Sequence, residues 1–181
     1  MIQFSPTTLG KQLKRIEAGG FILTEAYNSP FVRWPPHAHE LASITFVLKG
    51  LCLETIGTSL KEMDLHSAVI KPPGAVHSNR YGNLGARVLI IEVGPKRLAS
   101  LRLLSHSLDH VAHLRGGALP SFAVRLYREL NIGDNASALA IEGLVLEVIG
   151  EVTRLRAESS SVGPPRWLNK AKKACDEQRL L

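Results

Sequence analysis

Cysteine is scarce in this chain. Cys52 and Cys175 are the only two, they lie far apart, and they form no CxxC pair. That excludes a disulfide framework and points to reduced thiols in a cytoplasmic setting. Long apolar runs are missing as well: no stretch reaches the roughly eighteen uncharged apolar residues of a membrane span. The first twenty residues carry Lys11, Lys14, Arg15 and Glu17 without an apolar core, so they do not read as a secretory signal. No Ser-His-Asp order, phosphate-cradling glycine loop or carboxylate pair stands out. The net charge of +6 is not concentrated: nine Lys/Arg face seven Asp/Glu up to Val93, and thirteen face nine beyond it. A spread of that kind suits solvated surfaces better than a phosphate-tracking face.

What remains is an ordinary globular composition, 45% hydrophobic and 21% charged, long enough for one domain with a helical appendage. The first half is punctuated by Gly and Pro. Phe21–Tyr27, Leu41–Leu48, Leu51–Ile56, Ala68–Ile70 and Ala86–Val93 read as strands. A hairpin is expected at Lys49-Gly50, and turns at Gly57-Thr58-Ser59 and at Gly82–Gly85. Short strands separated in this way argue a sandwich or small barrel.

The period changes after Gly94-Pro95. Leu98, Leu101, Leu104 and Leu108 predict a helix ending near Arg115, and Phe122–Leu130 a second one closed by Gly133. Asp134 or Asn135 offers the N-cap of a third and longest helix, to about Arg156. Ile141, Val145, Val148 and Val152 lie on its heptad seam and are the residues expected at a dimer interface. Ser159 to Pro165 reads as a linker, and Arg166 to Leu181 as a further helical segment. Three regions follow: 1–94 as a barrel that binds a ligand, 95–158 as a helical layer, and 159–181 as linker and beginning of another segment.

The chemistry concentrates in histidine. His37 and His39 stand at i and i+2, on one face of a strand, and His77 follows the turn Pro72-Pro73-Gly74. If both strands enter one enclosure, three imidazoles converge in it. Such a set could line a ligand pocket or hold zinc or iron. Arg33, Trp34, Arg80 and Tyr81 lie close by in sequence, and an Arg beside aromatics suits a carboxylate or sugar.

These motifs resemble those of the cupin barrel, a double-stranded β-helix or jelly roll. His37, His39 and Gly50 meet its first motif, and Pro72, Gly74 and His77 its second. The glutamate position of the first motif holds Ser43, and the terminal asparagine of the second is Tyr81. With Pro164-Pro165-Arg166-Trp167-Leu168, the chain resembles the N-terminal half of AraC-type transcription regulators. The resemblance implies a mainly β fold with C-terminal helices, in which a cupin-like barrel precedes a helical dimerisation region. It implies a sensor rather than an enzyme, with Arg33, His37, His39, Ser43 and His77 around a small-molecule effector, a sugar or small organic acid. It also implies a homodimer, no required cofactor, and DNA contact only through a domain that lies outside this chain. Two alternatives use the same residues. One is a small cupin metalloenzyme, isomerase- or dioxygenase-like, with His37, His39 and His77 on a metal; the other is a free-standing dimerisation module.

Overall fold

The computed structural model describes residues 3–5 and 9–161; the expected linker and terminal helix beyond 161 lie outside the described residues. Among the described residues, nine strands and three helices follow in order. The strands are β1 (Gln3–Ser5), β2 (Lys11–Ala18), β3 (Phe21–Asn28), β4 (Arg33–His39), β5 (Ala42–Ile56), β6 (Ser59–Met63), β7 (Ser67–Lys71), β8 (His77–Val93) and β9 (Ala112–Arg115). Helix α1 (Pro95–Arg102) precedes β9, and α2 (Leu119–Ile132) and α3 (Ser137–Ser161) follow it.

Two long strands organise the rest. The first part of β5 pairs with the last part of β8, Ala42 opposite Val93, and the second part of β5 pairs with the start of β8, Ile56 opposite His77. Strands β3 and β7 flank the first pairing, while β4 and β6 flank the second. The result is one sheet folded into two leaves, antiparallel except where β1 runs parallel to β4. It is not closed, since β9 and β1 end its main path on opposite sides.

The expected turns at Lys49-Gly50 and Gly82–Gly85 are not turns. Both strands run straight through them, bent by register shifts on either side of Gly50. Gly50 (φ 83°) and Gly85 (φ 64°) allow the bend because each backbone packs on another strand. A Cβ on Gly50 would come within 2.1 Å of the Gly85 carbonyl oxygen. Gly50→Ala therefore combines a left-handed strain with a backbone clash, and should cost about 2 kcal/mol or more in urea denaturation. By contrast the turn expected at Gly57-Thr58-Ser59 is present, as a two-residue hairpin loop of Gly57 and Thr58 between Ile56 and Ser59.

One leaf is buried on both faces. Ile44, Phe46, Leu89 and Ile91 point outward from β5 and β8 into a core shared with the helices. Ser43, Thr45, Val88 and Ile90, at alternate positions, point inward. This double burial explains the near-continuous apolar runs. It also ties barrel and helices into one packed unit rather than two separable regions.

The helical layer departs from the sequence reading at two places. Helix α1 stops at Arg102, leaving Leu103 and Leu104 exposed at 87% and 86%, and the expected last turns are instead β9, paired with β7. Ile141, Val145, Val148 and Val152, expected at a dimer interface, are wholly buried in the chain's own core. The heptad seam of α3 faces the barrel and α2. The predicted ends hold elsewhere: Gly133 closes α2 in the left-handed region, and Asp134 Oδ1 accepts from the N–H groups of Ala136 and Ser137.

Candidate functional site

Between the leaves lies a cavity of about 60 Å³. His37 and His77 occupy one rung, directly opposite each other on β4 and β8. Their ring centroids stand 4.2 Å apart, and that of His39 is 5.1 Å from His37 and 5.3 Å from His77. One ring nitrogen from each imidazole falls within 4.8 Å of the others. The three histidines thus converge on the interior.

Their protonation follows from the neighbouring backbone. His37 Nδ1 lies 2.7 Å from the Pro35 carbonyl oxygen, and His77 Nδ1 lies 2.9 Å from that of Ala75. A carbonyl only accepts, so in both rings Nδ1 carries the proton and Nε2 keeps its lone pair. Burial holds the pKa of His77 down to about 3, and the Lys71 ammonium adds to this. Burial also lowers that of His37, with Lys71 again contributing against the Pro35 hydrogen bond. At neutral pH both rings are therefore uncharged, with acceptor nitrogens turned inward.

An ion pair absent from the sequence reading spans the cavity. Lys71, at the end of β7, donates to Glu54 Oε1 of the other leaf at 2.6 Å, and both side chains are buried. Asn79 Nδ2 donates to the same oxygen at 3.2 Å, while Glu54 Oε2 stands 3.5 Å from His113 Nε2 on β9. Burial alone would push the Glu54 carboxyl up; the Lys71 charge outweighs it and, with the nearby His113 and the Lys71 hydrogen bond, holds the carboxyl well below the usual range. Cys52, beside Asn79, has its thiol pushed up to about 11 by burial, so it stays protonated.

Of the expected site residues, His37, His39, Ser43 and His77 line the cavity. Ser43 sits on one rung with Lys71 and Glu92, all three facing inward. Arg33 does not join them: it is exposed on the outer face of β4, because the bulge between Trp34 and His37 inverts the alternation that would otherwise put it on the face of His37. Glu54, Lys71 and Asn79 went unread in the sequence. Parity could have found Asn79, two positions after His77, but nothing local announces a Glu54–Lys71 pair that forms only when the leaves fold over each other.

The donor set fits a divalent ion. Three converging imidazoles, two of them neutral with Nδ1 anchored on a backbone carbonyl, are what a zinc or ferrous site uses, and the Lys71 charge is neutralised by Glu54. His37, His39 and His77 would be its ligands.

No protein-family model matches the chain, and no curated protein does. Solved structures do match. Apo ToxT K231A from Vibrio cholerae strain SCE256 aligns with 88% of this chain and 70% of its own, with a TM-score of 0.56 at 12% identity. The likeness is one of fold. It takes in barrel and helices together, since the barrel alone is too short to account for that coverage. Shorter matches cover about half the chain. AerE from Microcystis aeruginosa is 16% identical with a TM-score of 0.43 over 49% of this chain and 44% of AerE, so this chain spans less than half of that protein. A cupin-2 domain containing protein from Shewanella frigidimarina NCIMB 400 is 12% identical, TM-score 0.41, over 48% of this chain and 84% of its own. Among the described residues no helix is long and apolar enough to cross a membrane.

Proposed function

We propose that this chain is the effector-sensing part of an AraC-type transcription regulator, binding a small molecule between the leaves of a cupin-like barrel. The observation that carries the proposal is the enclosed wall of three imidazoles, with His37 and His77 pre-set as hydrogen-bond acceptors, inside a barrel that shares its core with the helices. The fold likeness to ToxT, an AraC-family regulator, supports the same reading. An accepting wall favours a ligand that brings donors, so the hydroxyls of a sugar suit it better than a bare carboxylate. Zinc or iron bound there would supply a Lewis-acid anchor for a ligand oxygen.

The route outward is short. Glu54 holds Lys71 and faces His113, while Ala112 and Leu114 on either side of His113 pack into the helical core. Four residues after Arg115, the chain enters α2. A ligand that draws on Lys71 or Glu54 would bias two arrangements of α2 and α3, by no more than its difference in affinity for them. In the intact regulator a DNA-binding domain outside this chain would read that bias. Dimerisation would use the opposite face of α3, where Leu139 is 77% exposed and Leu146 follows one heptad later. Replacing both by Glu should convert a sedimenting dimer to monomer; a dimer that survives the change places the interface elsewhere.

The test of the pocket is calorimetric titration with sugars and small acids, repeated on His37→Ala and His77→Ala. Loss of about tenfold or more in affinity in both variants is expected. Unchanged affinity would remove the imidazole wall from the site. The metalloenzyme alternative is not favoured, because it gives the helical layer no part to play.

A further inference from the structure

The arginines that fail to enter the cavity meet on the outside. Arg33 of β4 and Arg80 of β8 are direct register partners, and Leu53 of β5 is the next residue on the same rung. All three line an open groove of about 220 Å³ on the outer face of the leaf that the helices leave bare. Like charges directly opposite each other across a ladder repel. Among the described residues, no ion pair with a carboxylate relieves either guanidinium.

The adjoining stretch of the groove is apolar. Leu51 forms one side and Phe31 the other, with Gly82 between them. The Phe31 N–H donates to the Gly82 carbonyl at 3.2 Å, which fixes the two segments side by side. A Cβ on Gly82 would meet nothing within 4 Å, so the missing side chain is what leaves the slot open. Phe31 holds φ at 61°, a left-handed value that a bulky residue adopts only under constraint, and its ring is 73% exposed at the rim. Strain and exposure of an aromatic side chain, beside two unrelieved cations, are separate observations that converge on one place.

We infer that this groove is a second ligand site, distinct from the cavity, for a small organic acid with its carboxylate on Arg33 and Arg80 and its apolar body in the slot over Gly82. Two guanidiniums side by side match the two oxygens of a carboxylate, and the bound anion removes their mutual repulsion. Leu51, Leu53 and Phe31 select acids with an apolar body over acetate. The inference stands apart from the sensor proposal, because it uses the opposite face of the same strands.

Benzoate is the probe, with benzamide as its uncharged counterpart of the same shape. Calorimetry or NMR titration of the whole chain should show benzoate binding, and benzamide at least about tenfold weaker. Arg33→Gln and Arg80→Gln, both at exposed positions, should each lower benzoate affinity by about tenfold or more. Gly82→Leu fills the slot without touching either charge and should abolish binding, whereas His39→Ala should leave it unchanged. The inference is overturned if benzoate does not bind, if benzamide binds equally well, or if both glutamine variants keep wild-type affinity. Loss of benzoate binding on His39→Ala alone would move the acid to the interior cavity and overturn it too.

Discussion

Replacing Lys71 by methionine should lower the unfolding free energy by about 3–5 kcal/mol, the usual consequence of stranding a buried charge. Glu54 is 2% exposed, and its carboxyl would be left with Asn79 and His113 in place of an ammonium 2.6 Å away. At about 2–4 °C per kcal/mol for a chain of this size, the melting temperature should fall by about 6–20 °C. The double variant Lys71→Met/Glu54→Leu removes both charges and should recover most of the loss, since an ion pair replaced by apolar groups of similar volume is often neutral. A double-mutant cycle in urea measures the coupling directly. A loss below about 1 kcal/mol for Lys71→Met would mean that water reaches Glu54 and that the leaves are not sealed there.

Acid should destabilise the protein well before its carboxylates titrate. His77 has a native pKa of about 3 against an ordinary value of 6.5, lowered by burial first and Lys71 second, and His37 moves in the same direction. Between those values the unfolded chain binds a proton that the native chain refuses, so stability rises with pH across the window. It is complete above about pH 6.5 and is lost as pH falls towards 3. Each pH unit is worth about 1.4 kcal/mol per group, so His77 alone should remove about 2 kcal/mol by pH 5. Glu54, whose carboxyl is depressed, adds a loss of the same sign only below about pH 4.5. Urea denaturation at pH 7 and pH 5 should show the drop, and His77→Gln should flatten it. A stability profile that is level from pH 7 to 5 would show that His77 protonates freely in the folded state.

The convergence of His37, His39 and His77 was legible because parity and the Pro-x-Gly turn are local rules. The mainly β half and the helical half were legible from the change of period. Four features were not. Gly50 and the Gly82–Gly85 stretch look like turns, yet Gly50 serves the close approach of β5 to β8 and Gly85 that of β8 to Asn28, and sequence periodicity carries no sign of a strand that bends and continues. The seam of α3 has the spacing of a coiled coil, but the same spacing serves a helix laid on a sheet, and burial of Ile141 to Val152 follows from what lies beneath it. Arg33 shares the parity of His37, yet lies on the opposite face, because a bulge between Trp34 and His37 inverts the alternation along β4. The Glu54–Lys71 pair is non-local altogether, joining strands that no pairing register connects at those positions.

Imidazole nitrogen spectra of the whole chain, recorded at neutral pH while zinc is added as a probe, bear most directly on the interior wall. Before addition, His37 and His77 should show a protonated Nδ1 and a bare Nε2. With one equivalent of zinc, the signals of His37, His39 and His77 should move together and then stop. Three rings that respond separately, or a bare Nδ1 on His37 and His77, would contradict a shared acceptor wall and leave the barrel without its proposed receptor.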